Sequence, residues 1–143
     1  MKRVLIADDE PIERMIVTRT IQKYFPEELA VVSAVNGREA VEQFFAENCQ
    51  IALLDIEMPG MNGLEAAEQI RDKNCSIIFL TAFDEFNYAK RAIAVRAMEY
   101  LLKPVEDQEL EAVLAEAIRI ADEHTDDREA GEKKEDEPVF AER

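Results

Sequence analysis

The stretch Ile51-Ala52-Leu53-Leu54-Asp55-Ile56-Glu57-Met58-Pro59-Gly60 constrains the fold more than any other part of the chain. Four consecutive apolar residues, Ile51 to Leu54, have the pattern of a strand buried on both faces, as in a parallel sheet covered by helices on each side. The run stops on a carboxylate, and Pro59 and Gly60 then turn the backbone out of the strand. Asp55 is therefore expected at the strand's carboxyl end, where open α/β sheets build their sites.

The same pattern repeats along the chain. Val4-Leu5-Ile6-Ala7 reads as a first strand, followed by Asp8-Asp9-Glu10 and by Pro11 at the start of a helix. In that helix Ile12, Met15, Ile16, Ile21, Tyr24 and Phe25 recur near helical spacing until Pro26. Leu29 to Val35 is a second strand, Asn36-Gly37 a turn, and the helix 38–48 carries Ala40, Val41, Phe44 and Phe45 on one face. After the third strand, Gly60 and Gly63 are read as loop glycines supplying flexibility, with a helix over about 64–73. Ser76 to Thr81 is a fourth strand that ends on a hydroxyl. The helix 85–96 after it is expected to bury Phe86, Ala89, Ala92 and Ile93. Tyr100 to Leu102 is a fifth strand ending at Lys103-Pro104, and a last helix over about 106–123 closes the domain. The domain is placed at 1–124. Residues 125–143, almost wholly charged and polar, are expected to be a disordered tail or linker, or at most a frayed helical extension.

Alternating strands and helices imply a five-stranded, doubly wound parallel sheet with right-handed crossovers, the flavodoxin-like order 2-1-3-4-5. Its switch point between strands one and three brings Asp8, Asp9 and Asp55 together, with Thr81 and Lys103 ending the next two strands. Clustered carboxylates repel unless a cation, a lysine or a proton neutralises them. Oxygen ligands suit Mg2+, which keeps coordination sites for water and a phosphoryl group. The constellation therefore points to metal-assisted phosphoryl chemistry with a carboxylate nucleophile and Lys103 and Thr81 as partners of the transferred oxygens. Taken singly, the acids after strand one could complement the helix dipole, Thr81 could cap the following helix, and Tyr100 could be core.

Composition narrows the partners. A net charge of −15 opposes direct binding to nucleic acid, because phosphate contacts need clustered Lys and Arg. No apolar run approaches the roughly 20 residues of a membrane span, and a cytoplasmic location is expected. Cys49, Cys75 and the single His124 lack metal-ligand spacing, so the cysteines are read as reduced structural thiols rather than zinc ligands.

Asp8-Asp9, Asp55 followed by Met58-Pro59-Gly60-Met61-Asn62-Gly63, Thr81-Ala82 and Lys103-Pro104 together resemble the receiver domain of two-component response regulators, a CheY-like fold. The resemblance covers about residues 2–122. The segments 81–90 and 99–105 look most like receivers that precede an AraC-type (YesN-like) helix-turn-helix output domain. It implies that Asp55 accepts a phosphoryl group from a sensor histidine kinase or a small donor such as acetyl phosphate. It implies Mg2+ ligation by Asp9 directly, by Asp8 mainly through water, by Asp55 and by the Glu57 backbone carbonyl. Thr81 and Lys103 would bind the phosphoryl group, Tyr100 would be the aromatic switch, and Glu57 and Phe83 match positions that tune phosphoryl lifetime, their side chains reading equally as solvated loop residues.

The output surface implied is the fourth helix, fifth strand and fifth helix, with homodimerisation as one mode. Such a receiver is a self-modifying switch rather than an enzyme turning over a metabolite. The chain is either a receiver from a longer regulator, whose helix-turn-helix would bind DNA, or a stand-alone receiver that binds a partner. One departure is Arg96-Ala97, where receivers often have Gly-Ala. Two rivals fit less well. A haloacid dehalogenase-type phosphohydrolase would need an Asp-x-Asp-x-Thr motif where this chain has Ala7-Asp8-Asp9-Glu10-Pro11. A flavin mononucleotide module would need a phosphate loop where three acids stand.

Overall fold

The computed structural model describes residues 1–71, 74–83 and 85–135. Its elements, in order, are β1 (Lys2–Ala7), α1 (Pro11–Tyr24), β2 (Leu29–Ala34), α2 (Gly37–Ala46), β3 (Ile51–Leu54), α3 (Gly63–Ile70), β4 (Ser76–Thr81), α4 (Phe86–Ala94), β5 (Glu99–Leu102) and α5 (Asp107–Glu135). The sheet is wholly parallel in the order β2-β1-β3-β4-β5. Register places Ala7 beside Leu54 and Thr81 beside Leu102, so the carboxyl ends of four strands meet along one edge.

Alternation along the strands divides the core into two layers. Ala52, Leu54 and Phe79 face one layer, filled by Phe44, Leu64, Ala67 and Ile70 of α2 and α3. Ile51, Leu53, Ile78 and Leu80 face the other, filled by Val17 and Ile21 of α1 and Leu110, Leu114 and Ala117 of α5. All four residues of β3 are buried, as an apolar run with helices on both sides requires. Cys49 and Cys75 are free; burial is the main cause that pushes both thiols up to about 11, keeping them neutral.

Several expectations are corrected. In α4 the buried residue is Ala92, followed by Val95, whereas Phe86 and Ile93 are 79% and 77% exposed. The helix has apolar residues on two stripes, and the stripe with small side chains fits against the sheet. Ile12, Met15 and Ile16 of α1 are likewise exposed, while Val17, Thr20 and Ile21 face inward. Phe45 is exposed beside the buried Phe44, its ring edge-on at 5.7 Å.

Gly60 does adopt a positive φ of 72°, but Gly63 serves close approach: a Cβ there would overlap the Asp55 carbonyl oxygen. Asn62 caps α3 in a reciprocal capping box with Glu65, and Asn36 caps α2 by accepting from the Glu39 N–H at 2.8 Å. Both Asn-Gly pairs are thus helix starts. α3 ends at Ile70 and α5 runs to Glu135, past the sequence-based end near 123, through residues rich in the helix formers Glu, Lys, Ala and Arg. Lys73, Asp84 and the final stretch 136–143, named in the sequence reading, lie outside the described residues.

Candidate metal and phosphoryl site

Backbone pairing fixes the site's floor. The Asp55 N–H donates to the Ala7 carbonyl at 2.9 Å and the Asp8 N–H to that of Ala34 at 3.2 Å, which holds both acids at adjacent strand ends. Asp8 and Asp55 are buried, Asp9 is exposed, and one carboxylate oxygen from each lies within 4.8 Å of the others. Gly63 lets α3 start directly against the Asp55 carbonyl, and the Gly63 N–H donates to Ile56 at 3.0 Å. This closes the β3–α3 loop over the acid.

The cation beside these acids is Lys103. Its Nζ lies 2.7 Å from Asp8 Oδ2, 3.2 Å from Glu13 Oε1 and 3.6 Å from Asp55 Oδ2. Burial pulls the Lys103 ammonium down, but Asp8, Asp55 and Glu13 outweigh it and hold the group above the ordinary lysine value. Asp55 is pushed up to about 6, first by burial and then by Asp8; Lys103, the Glu57 backbone and the Thr81 hydroxyl pull the other way. Thr81 is fully buried, and its Oγ1 also accepts from the Phe83 N–H at 3.3 Å.

Asp8, Asp9, Asp55, Thr81 and Lys103, predicted together, do converge. Tyr100 and Glu57 sit differently. Tyr100 is half-buried, its ring 6.3 Å from Phe79, and its hydroxyl donates to the Phe83 carbonyl at 2.7 Å. It therefore ties β5 to the β4–α4 loop rather than reaching the acids. The Glu57 side chain is exposed and accepts a short hydrogen bond from the Tyr88 hydroxyl on α4. That bond is the leading cause that pushes Tyr88 up to about 12, so the hydroxyl stays a donor at neutral pH.

Sequence reasoning missed Tyr88 and Glu13. Nothing in spacing marks Tyr88. Glu13 lies one turn after Asp9 on α1, a position that reads equally as a dipole-complementing acid.

Among the described residues the donor set is hard, made of carboxylate oxygens from Asp8, Asp9 and Asp55. It suits Mg2+ in preference to a transition metal. One cation would offset the like-charge repulsion that Lys103 alone only partly relieves.

A family model, the response regulator receiver domain, matches residues 4–115. The chain belongs to that family. Among curated relatives, the positive alginate biosynthesis regulatory protein of Pseudomonas aeruginosa is 39% identical over 118 residues, covering 81% of this chain and 47% of the relative. The transcriptional regulatory protein YesN of Bacillus subtilis is 35% identical over 120 residues, covering 82% of this chain and 33% of the relative. The receiver thus spans half or less of the length of these relatives.

Among solved structures, the receiver domain of AraT from Geobacillus stearothermophilus superposes with a TM-score of 0.76 at 35% identity, covering 87% of this chain and 98% of that one. The response regulator TrrA of Thermotoga maritima, solved with Mg2+ and beryllofluoride, gives 0.72 at 38% identity, covering 82% and 99%. Receiver domains of this kind are signalling switches found in transcriptional regulators. Among the described residues no helix is long and apolar enough to cross a membrane.

Proposed function

We propose that this receiver is switched by phosphorylation of Asp55. The observation that carries the reading is the convergence of a lysine ammonium and a buried threonine hydroxyl on one strand-end aspartate flanked by two further carboxylates. A carboxylate oxygen of Asp55 would attack phosphorus as the bond to the donor breaks, its electron pair leaving with the donor, a histidine imidazole of a sensor kinase or the acetate of acetyl phosphate.

Asp8, Asp9, Asp55 and the Glu57 carbonyl would hold Mg2+, which when bound neutralises the acids and the incoming phosphoryl oxygens. Lys103 would pair with the phosphoryl group, and Thr81 would donate its hydroxyl to it. Because both Phe83 N–H and Asp55 bond Thr81, a moving Thr81 hydroxyl would pull on the loop whose carbonyl anchors Tyr100. That loop leads to α4, so the signal would leave through α4, β5 and α5.

The exposed Ile12, Met15 and Ile16 lie on α1, the helix that starts just after Asp8 and Asp9, and offer apolar surface on which a kinase's phosphohistidine domain can seat. Homodimerisation through the α4 side is the proposed output mode. In a longer protein the receiver, residues 1–124, would govern a DNA-binding domain beyond a linker, in the cytoplasm. The half-length match to transcriptional regulators supports this arrangement.

The test is intact mass after incubation with acetyl phosphate, with and without Mg2+, on wild type and Asp55→Asn. One phosphoryl increment that needs Mg2+ and vanishes in the variant is expected. An increment that persists in Asp55→Asn would move the acceptor elsewhere.

A further inference from the structure

Lys103 is shared by more carboxylates than the site's chemistry needs. Its ammonium has three protons to donate, and its two shortest contacts, Asp8 at 2.7 Å and Glu13 at 3.2 Å, both draw it away from Asp55 at 3.6 Å. Asp8 belongs to the triad of acids that a cation would neutralise. Glu13 lies outside that triad, on α1, and keeps its full charge when the triad is compensated. Its side chain is 32% exposed and Lys103's 15%, so the pair is only partly screened by water.

The two side chains also line one end of a cleft of about 400 Å³ between α1 and α5, whose other walls include Ile16, Val17, Val105 and Leu110. The cleft gives Lys103 room to lie on the α1 side.

We infer that Glu13 is a positioning residue that competes with the phosphoryl group for Lys103, setting how readily the site takes up a phosphoryl group and how long it keeps one. The inference rests on the reading of Asp55 as phosphoacceptor and adds to it the residue that opposes the charged state. Phosphorylation replaces the single carboxylate charge of Asp55 with an acyl phosphate carrying about two negative charges, and it requires the Lys103 ammonium to close the 3.6 Å separation. Glu13 resists that shift by retaining the ammonium. Once the ammonium has left, Glu13 remains an uncompensated carboxylate facing the phosphoryl group. Both effects destabilise the phosphorylated state and leave the unphosphorylated one intact.

A structural role as a first-turn acid on α1 would behave differently. It would change helix stability slightly and leave the site's affinity for anions unchanged.

The experiment is calorimetric titration of the full chain with beryllofluoride in the presence of Mg2+, at low and high NaCl, for wild type, Glu13→Gln, Glu13→Asp and Glu10→Gln. Glu10→Gln removes the same charge from an exposed neighbour without touching Lys103. Glu13→Gln is expected to bind about three- to tenfold more tightly than wild type at low salt, the gap narrowing as salt screens the charge. Glu13→Asp, which keeps the charge but shortens its reach, should fall between them. Glu10→Gln should stay within about twofold of wild type, as expected for a screened surface charge.

Equal or weaker binding by Glu13→Gln overturns the inference, as does an equal gain in Glu10→Gln, which would make the effect one of net charge. If no form binds and none is phosphorylated by acetyl phosphate, the phosphoacceptor reading falls and this one falls with it.

Discussion

Asp55 is held at a cost to the fold. Burial and Asp8 raise its pKa from 3.8 to about 6 despite Lys103, so at neutral pH the folded protein keeps a charge that it would rather release. The sign follows from linkage. The raised carboxyl contributes stability that is fully present below pH 3.8 and is lost as pH rises through about 6. Asp55→Asn removes the charge while preserving shape, so without Mg2+ it should be the more stable protein at pH 7.5. One pKa unit corresponds to 1.36 kcal/mol, which sets an upper limit of about 3 kcal/mol on the gain. Thermal melts from pH 4 to 8 should show the two proteins converging near pH 4 and separating through pH 6. Added Mg2+ should raise the wild-type midpoint towards that of the variant. A variant less stable than wild type at pH 7.5 would mean that the bonds from Lys103, Thr81 and the Glu57 backbone outweigh the burial of charge. At this scale the acids, Thr81 and Lys103 were legible in the sequence, because each ends an apolar run. Glu13 and Tyr88 were not, since each meets its partner through tertiary packing, across 90 residues in one case and 31 in the other.

Among the elements, the turn from α4 into β5 carries the chain's visible departure from its family. Arg96 adopts φ of 60°, in the left-handed region that favours glycine, and its N–H donates to the Ile93 carbonyl at 2.9 Å. The geometry usually associated with Gly is therefore kept, with an arginine in it. A non-glycine residue in this region costs about 1–2 kcal/mol, whereas a new glycine adds about 0.5–1 kcal/mol of unfolded-state entropy. Arg96→Gly should accordingly stabilise the domain by roughly 0.5–1 kcal/mol, the difference between those terms. Urea unfolding is the direct measurement, and a loss of stability would show that the Arg96 side chain makes contacts worth more than its strain. Element type and order were readable because strands and helices differ in apolar period. Which stripe of α1 and of α4 faces inward was not, because both helices carry two apolar stripes and the choice depends on what fits against the sheet. The run of α5 to Glu135 was legible only as one alternative, a frayed helical extension, because a polar segment with good helix propensity gives no apolar period to count.

At the scale of the whole molecule, the two side chains that the sequence places inside α4 become its most exposed apolar surface. Phe86 and Ile93 are one helical face apart from the buried Ala92, with Phe83 at 45% and Leu102 at 41% exposure on the adjoining loop and strand. Burying a large apolar side chain contributes about 1.5–3 kcal/mol. Two copies covering Phe86 and Ile93 would therefore gain roughly 6–12 kcal/mol, against an association cost of about 4–15 kcal/mol. Each copy also carries a net charge of −15, which opposes self-association at low salt. These opposing contributions are of the same order, so a rearrangement of α4 can shift the equilibrium, as the proposed output surface requires. Sedimentation velocity should find wild type monomeric without beryllofluoride and associating with Mg2+ and beryllofluoride, more so at physiological than at low salt. Ile93→Asp should remain monomeric under both conditions while still taking up one phosphoryl group at Asp55, because Ile93 lies outside the acid site. Continued association by Ile93→Asp would move the interface off α4. A wild type that stays monomeric with ligand bound would instead assign the exposed face to a different partner.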